Sequence, residues 1–227
     1  MNFLTPLIDF FLPRFCPSCR NKLSVKEEIV CTTCLSKIKH ADKERLSHEF
    51  ERKFSSGKII SGFTSLYVFE KDKELQHIIH GLKYDGKFQI GLYLGKLMGA
   101  ELGNQFNEWK IDLLIPVPLH HLKRAERGYN QSAYIARGIR SVLKIPIDTK
   151  QVRRTRFTET QTNLNLTERR ENLKDAFTGK GSNTLKGKTI LLLDDVITTG
   201  ATISECGRIL FDKGTSNIYA ASVAVAD

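Results

Sequence analysis

Residues 190–202 have the sequence ILLLDDVITTGAT, which places two adjacent acidic residues between an apolar run and a glycine turn. The uncharged run Thr189–Leu193 is typical of a central strand in a parallel sheet. Gly200 closes a turn rich in threonine, and Ala201–Lys213 has the pattern of a helix that is stopped by Gly214. This stretch therefore predicts a buried strand, a tight turn and a helix in that order.

The predicted turn has the chemistry of a phosphate site. Open α/β sheets bind ligands at the carboxyl ends of their strands, and a helix N-terminus offers unpaired N–H groups to an anion. Gly200 lets the backbone close around that anion. Hydroxyl donors come from the threonines of the turn, Thr198, Thr199 and Thr202. Because Asp194 and Asp195 would repel a phosphate, we expect them to meet neutral hydroxyl groups beside it, such as those of a ribose.

Beyond residue 61 the chain alternates predicted strands and helices. Further strands are predicted at Thr64–Phe69, Ile111–Val117 and Asn217–Ala226. Helices are predicted at Phe88–Leu102, at Gln131–Leu143 and around the apolar positions Leu75, Ile78, Ile79 and Leu82. This alternation is typical of an α/β fold with a parallel sheet and helices on both faces, which we predict for residues 62–227.

Four of the five cysteines form two pairs with two-residue gaps. They are Cys16, Cys19, Cys31 and Cys34. Two such pairs can supply four thiolates to one tetrahedral ion, which closes its coordination sphere, so the spacing indicates a structural zinc site. Disulfides or free thiols are the alternatives.

The cysteine pairs define a small zinc module that we predict over residues 1–40. Residues 41–61 have alternating charges followed by Ser55-Ser56-Gly57, which is typical of a linker. The fifth cysteine, Cys206, falls on the apolar face of the helix predicted after the turn, so we expect it in the core.

The net charge is +10 at pH 7, and Leu119–Arg156 alone contains ten basic residues and two acidic ones. Such a concentration favours phosphate-rich ligands or nucleic acid, while a solvated basic face is the simpler alternative. No apolar stretch reaches the roughly 18 residues that span a bilayer. Met1–Pro13 lacks the basic start of a signal peptide, so we expect a cytoplasmic protein without a membrane segment.

The stretch at 190–202 resembles the motif by which type I phosphoribosyltransferases bind 5-phosphoribosyl 1-diphosphate (PRPP). Other parts of the chain resemble the ComF family, which combines this domain with an N-terminal cysteine module. They are Leu82-Lys83-Tyr84, Pro116-Val117-Pro118, Lys123-Arg124, Arg127–Gln131, Arg154, Thr160-Gln161, Glu168–Asn172 and Ala176-Phe177. The resemblance covers nearly the whole chain.

This resemblance implies a type I phosphoribosyltransferase fold and a role for each residue of the motif. Asp194 and Asp195 would bind the 2′- and 3′-hydroxyls of the ribose. The 5′-phosphate would bind at Thr198, Thr199, Gly200, Ala201 and Thr202. Lys83 and Arg127 are expected as the catalytic cations at the diphosphate, with Mg²⁺ bridging oxygens of PRPP.

Two functions stay open on the sequence. ComF relatives support the uptake of single-stranded DNA in natural competence, so the resemblance implies DNA, a competence helicase and a recombination mediator as partners. The alternative is an active metabolic phosphoribosyltransferase that transfers phosphoribosyl from PRPP to an acceptor not specified by the sequence. Whether the domain catalyses any transfer is left open at this point.

Overall fold

The computed structural model describes residues 11–156, 176–180 and 185–226. Its helices are α1 (Thr32–Ser36), α2 (Lys43–Lys53), α3 (Glu74–Tyr84), α4 (Phe88–Glu101), α5 (Gly103–Glu108), α6 (His121–Arg127), α7 (Gln131–Leu143) and α8 (Ala201–Phe211). Its strands are β1 (Gly62–Val68), β2 (Leu113–Pro116), β3 (Val152–Arg154), β4 (Phe177–Gly179), β5 (Thr189–Ile197) and β6 (Asn217–Val225). Within these ranges no helix has both the length and the apolar character needed to cross a bilayer.

The main sheet has the strand order β1-β6-β5-β2, and every neighbouring pair is parallel. β3 and β4 form a separate antiparallel ribbon. β5 and β6 end together, with Ile197 opposite Val225, whereas β2 ends at Pro116 opposite Leu193, four residues before the end of β5. Ligands of such sheets bind beyond these carboxyl ends.

Both faces of the sheet are covered by helices, as predicted. Along β5, Leu191 and Leu193 join a core with residues of α3, α4 and α7. Ile190 and Leu192 point to the opposite face, because successive side chains of a strand alternate, and they join the core that contains α8. Cys206 of α8 is fully buried there, which confirms the expectation of a core residue.

The strands and helices predicted from hydrophobic pattern are confirmed, with shifts at their ends. The largest shift concerns β5, which continues to Ile197 instead of ending at Leu193. Asp194 and Asp195 therefore lie within the strand, where backbone pairing to β6 fixes them, and the turn begins only at Thr198.

Two glycines bring α4 and α7 into backbone contact. A Cβ added to Gly95 would lie 2.1 Å from the carbonyl oxygen of Ile135, and one added to Gly138 would lie 2.3 Å from that of Leu92. No larger side chain fits at either position. This packing fixes the place of α7, whose first turn borders β5.

The linker expected at 41–61 differs from the structure, because most of it packs onto the domain. Asp42 caps α2 by accepting a hydrogen bond from the N–H of Arg45 at 2.8 Å. Phe54, directly after α2, is buried. The residues just before α2 extend the edge of the sheet, since the N–H of Val68 donates to the Lys39 carbonyl. The division of the chain into a module, a linker and a domain stays a prediction.

Candidate functional site

The two carboxylates of β5 have different partners at the carboxyl end of the sheet. Asp195 is buried, and its Oδ2 lies 2.7 Å from Nζ of Lys83, in the last turn of α3. Asp194 Oδ1 accepts hydrogen bonds from Ser132 Oγ at 3.0 Å and from the N–H of Asp195 at 2.9 Å. Three elements distant in sequence, α3, α7 and β5, thus build one polar cluster.

This cluster keeps one carboxylate ionised and makes the other easy to protonate. Burial and the charge of Asp195 raise the pKa of Asp194 to about 7. Burial also opposes ionisation of Asp195, but the Lys83 ammonium outweighs it and lowers the pKa of Asp195. Near neutral pH a proton therefore binds to Asp194, because the Lys83 ammonium stabilises the charge of Asp195 more strongly than that of Asp194.

The turn after β5 has the geometry expected of an anion-binding loop. Gly200 is the N-cap of α8 with φ +76°, a left-handed conformation that glycine adopts without strain. The N–H of Ala201 donates to Thr199 Oγ1 at 3.3 Å. Thr198 is exposed, and Thr199 and Thr202 are half-buried. The structure thus places the turn, which begins three residues beyond Asp195, at the positive end of α8.

Arg127 lies at the rim of the same cluster. Its guanidinium carbon is 5.5 Å from the centre of the Tyr84 ring, and its Nη1 donates to Gln131 Oε1 at 2.6 Å. Because Tyr84 follows Lys83 directly, the two expected cations lie on neighbouring elements, α3 and α6. The Tyr129 hydroxyl donates to the Leu82 carbonyl and so ties this part of α3 to the start of α7.

A basic groove of about 560 Å³ lies beside the end of β2. We use "basic groove" for the surface between α6, α7 and β3. Its cationic lining residues are Arg124, Arg137, Lys150, Arg153 and Arg154, with no carboxylate among the lining residues. The Arg137 guanidinium stacks 4.5 Å above the Tyr134 ring. Much of the positive charge noted at Leu119–Arg156 therefore converges on one concave surface.

The four paired cysteines converge as a metal site requires. Their Sγ atoms all lie within 4.8 Å of one another, and those of Cys19 and Cys31 are 3.7 Å apart. A tetrahedral zinc–thiolate centre with bonds of about 2.3 Å needs sulfur–sulfur distances of about 3.8 Å. All five cysteines lie in the described part of the chain, and none forms a disulfide there. The cluster can therefore hold a metal such as zinc.

Backbone hydrogen bonds reach the sulfur atoms of Cys31 and Cys16, although burial raises the pKa of Cys31 and of Cys34. The N–H of Cys34 donates to Cys31 Sγ at 3.4 Å. Burial disfavours the thiolate of Cys16, but hydrogen bonds from surrounding backbone N–H groups outweigh it and lower its pKa to about 7. The Cys16–Cys19 knuckle packs against α3, where a Cβ added to Gly81 would lie 3.6 Å from Pro17 Cβ. The cluster is therefore joined to the helix that carries Lys83.

Two of the stretches that resemble the family, Thr160-Gln161 and Glu168–Asn172, lie outside the described residues.

Comparison with known proteins relates the chain to competence proteins. Residues 126–226 match the phosphoribosyl transferase domain. Competence protein F of Haemophilus influenzae is 29% identical over 231 residues, which span 97% of this chain and all of that protein. The chain is therefore similar to a ComF-type protein along nearly its whole length. Competence protein ComFC of Bacillus subtilis is a further relative, 25% identical over 88% of this chain and 79% of ComFC.

A second group of relatives has a name that refers to DNA. The DNA utilization protein YhgH of Escherichia coli K12 is 31% identical to this chain over 147 residues. The match spans 63% of the chain and 64% of YhgH.

Two polar residues that the sequence did not reveal contact the predicted site. Ser132 binds Asp194, but nothing in the pattern of α7 connects it to a strand 62 positions later. Lys53 of α2 donates to the Thr198 carbonyl at the start of the turn. The helix α2 itself could have been predicted from its capping residue Asp42 and from the spacing of Leu46, Phe50 and Phe54. The contact of Lys53 with Thr198 could not.

Proposed function

We propose that this protein binds PRPP beyond the carboxyl end of β5 and supports the uptake or processing of single-stranded DNA in the cytoplasm. The observation that carries the proposal is the Lys83–Asp195 ion pair beside the glycine turn. It joins a cation, two carboxylates and a helix N-terminus within one site. The names of the relatives, which refer to competence and to DNA utilization, support the cellular role.

The ribose 5-phosphate part of PRPP fits the chemistry of β5 and the turn. In this proposal the N–H and hydroxyl donors of Thr198, Thr199, Gly200, Ala201 and Thr202 bind the 5′-phosphate. Asp194 and Asp195 accept hydrogen bonds from the ribose hydroxyls, which are neutral donors and avoid the repulsion that a second anion would meet. The buried position of Asp195 makes these bonds stronger than they would be in water.

The diphosphate part requires cations, and the proposal gives this role to Lys83 and Arg127. A bound diphosphate would compete with Asp195 for the Lys83 ammonium, so the ion pair keeps this group in place before PRPP arrives. The oxygen donors of PRPP and of the two carboxylates are the hard ligands that Mg²⁺ prefers. When bound, Mg²⁺ would neutralise part of the diphosphate charge.

Calorimetric titration with PRPP and Mg²⁺ tests the site directly. We expect micromolar binding to the wild-type protein and a loss of at least about 100-fold in the Asp194→Asn/Asp195→Asn variant, since two hydrogen-bonded carboxylates are removed. The matched control is Asp212→Asn, which makes the same change from carboxylate to carboxamide at an exposed position at the end of α8. Absence of binding to well-folded wild-type protein would refute the proposed site.

Active phosphoribosyl transfer is the second candidate, and the two cations beside the carboxylates favour it. In that reaction the bond between carbon 1 and the diphosphate oxygen breaks, and the diphosphate leaves with the electron pair. The acceptor forms the new bond to carbon 1, and its proton goes to solvent or to the diphosphate. Positioning and charge stabilisation would supply most of the rate.

Release of pyrophosphate from PRPP distinguishes transfer from binding alone. If the protein is a transferase, some acceptor will stimulate release, and Lys83→Met will abolish the stimulation while leaving the protein folded. Binding of PRPP without release for any nucleobase or amine acceptor would favour a binding or sensing role.

Single-stranded DNA is the partner that we propose for the basic groove. A phosphodiester chain carries one charge per nucleotide, and the groove offers five cationic side chains on one surface. The Arg137 guanidinium lies over the Tyr134 ring, 4.5 Å from its centre, and in this proposal the pair offers a platform on which a base stacks. The competence helicase and recombination mediator remain proposed partners of the DNA-bound protein.

The salt dependence of DNA binding tests the groove. Arg137→Gln/Arg153→Gln should weaken binding of a single-stranded oligonucleotide and reduce the slope of log K against log salt by about 1 to 2. Arg140→Gln is the matched control, because this exposed arginine is one turn from Arg137 on α7 and does not line the groove. Equal effects of both changes would show that binding is diffuse and would reject the groove.

We also propose Zn²⁺ as the metal of the four-cysteine cluster, because closed four-thiolate sites with these sulfur–sulfur distances suit its tetrahedral preference.

A further inference from the structure

The loop proposed for the 5′-phosphate contains no cationic side chain, since 198–202 consists of threonine, glycine and alanine. A cation lies behind it, on the helix that the sequence did not reveal. Lys53, the last residue of α2, is 4% exposed. Its Nζ donates to the carbonyl of Thr198 and, at 2.9 Å, to that of Ala226. Glu49 Oε2 lies 2.8 Å away, so the three N–H bonds of the ammonium each have an acceptor.

The contact with Thr198 fixes the orientation of a peptide group. A trans peptide is planar, and its C=O and N–H bonds point in opposite directions. The Thr198–Thr199 peptide is trans, because the described chain contains no cis bond. Since Lys53 holds the Thr198 carbonyl toward α2, the Thr199 N–H points away from α2.

The same helix supports the loop at a second point. A Cβ added to Gly200 would lie 2.8 Å from the Phe54 ring and 3.1 Å from Lys53 Cβ. The backbone of the loop therefore rests directly on the end of α2. Two contacts two residues apart, at Thr198 and Gly200, leave the loop little freedom to turn its N–H groups inward.

The surroundings of Lys53 are positively charged as a whole. Glu49 is 1% exposed, and its carboxylate lies 3.1 Å from Arg45 Nη2 and 2.7 Å from Arg52 Nη2, in addition to Lys53. One carboxylate among three cations leaves a net positive charge behind the loop. A charge in this position favours an anion on the opposite side of the backbone.

We propose that Lys53 is a positioning residue of the anion-binding loop. By holding the Thr198 carbonyl, it presents the Thr199 N–H to the phosphate ester of a bound sugar phosphate, a role that rests on the proposed PRPP site. The phosphate site then extends beyond the strand, turn and helix of its motif to a residue 145 positions earlier.

Two ligands that each occupy one half of the site test this role. In Lys53→Met/Glu49→Gln, both buried charges are removed together, so no unpaired carboxylate is left at the position of Glu49. We expect the affinity for ribose 5-phosphate to fall about 10-fold, the size of one lost charge-assisted hydrogen bond, and the affinity for magnesium pyrophosphate to stay unchanged. The matched control is Lys43→Met/Glu44→Gln, an exposed pair in the first turn of the same helix.

The outcomes separate this role from simple stabilisation and from the PRPP site itself. Unchanged ribose 5-phosphate affinity in the folded double variant overturns the proposal, and so does an equal loss for both ligands. Wild-type protein that binds neither ligand refutes the PRPP site, and the role of Lys53 with it. If the variant does not fold, hydrogen exchange of the Thr199 amide in wild-type protein decides: ribose 5-phosphate should slow it, and an unchanged rate overturns the proposal.

Discussion

Among single residues, Asp194 shows the conflict between stability and ligand binding most clearly. Burial and Asp195 raise its pKa to about 7, far above the value of about 4 in an unfolded chain. Between these two values the folded protein binds a proton that the unfolded chain has released. The contribution of Asp194 to stability is therefore lost as the pH rises from about 4 to about 7.

Asp194→Asn should thus raise the free energy of unfolding at pH 8, by on the order of 1 kcal/mol, and have little effect at pH 4. Chemical denaturation at both pH values measures this difference. The same variant should lose PRPP affinity, because an amide is a weaker acceptor for the ribose hydroxyls. An Asn variant no more stable than wild type at pH 8 would show that Lys83 and Ser132 compensate fully for burial.

Gly200 is the residue whose backbone the turn depends on. In Gly200→Ala, an alanine must adopt the backbone angle φ near +76°, and its methyl group must displace the Phe54 ring. We expect a loss of about 1 to 3 kcal/mol in stability and a weaker affinity for ribose 5-phosphate. Gly57→Ala is the control, since a Cβ there meets nothing within 4 Å. Similar melting curves for the two variants would contradict this role.

Among the elements, the contact of α4 with α7 should be the least tolerant of change. Gly95→Ala places a methyl group within 2.1 Å of a backbone oxygen of α7, so the helices must separate. We expect a loss of about 3 kcal/mol in the free energy of unfolding and a displaced Ser132, and therefore weaker PRPP binding. Gln89→Ala, an exposed change in the first turn of α4, should have little effect. Equal stability of the two variants would mean that α7 can shift freely.

The elements differ in how far the sequence predicts them. The spacing of Leu75, Ile78, Ile79 and Leu82 predicts α3 because burial on one face imposes a helical period. The helix α2 was not predicted, although Asp42 and the spacing of Leu46 and Phe50 indicate it. What a local pattern cannot show is that its buried Lys53 donates to the distant carbonyls of Thr198 and Ala226. The ribbon of β3 and β4 has three residues per strand, too few for a period to emerge.

The candidate site likewise has a local part that the sequence predicts and a non-local part that it does not. Its motif at 190–202 is local, so the order of strand, turn and helix could be predicted together with the residue types. The partners of that motif are not local: Ser132 and Lys53 reach it through the parallel pairing of strands and the packing of helices. Contacts of this kind follow from the complete fold and leave no periodic signal.

At the scale of the whole molecule, the cysteine module and the domain share one hydrophobic core. Leu23, Val30 and Ile38 of the module belong to the same buried cluster as Ile78 and Leu82 of α3. Loss of metal should therefore also destabilise α3, the helix that carries Lys83.

Removal of zinc by a chelator should lower the melting temperature of the entire chain in one transition, and added Zn²⁺ should restore it, whereas Mg²⁺ should not. Metal analysis should give about one zinc per chain for the wild type and for Cys206→Ala, and none for Cys16→Ala/Cys19→Ala. Unchanged melting of metal-free protein would show that the cysteines contribute nothing to the shared core.

The strand order also determines when the protein can fold during its synthesis. β6 lies between β1 and β5, so the first strand of the sheet finds its partner only in the last one to be made. Until residues 217–225 have left the ribosome, β1 and β5 both present an open edge, and Lys53 lacks the carbonyl of Ala226. The cysteine cluster, complete by residue 34, can take up its ion long before that. If the cluster binds the proposed metal, a nascent chain would be ordered around residues 16–34 while β1 and β5 are still exposed, and a chaperone would protect these apolar strands.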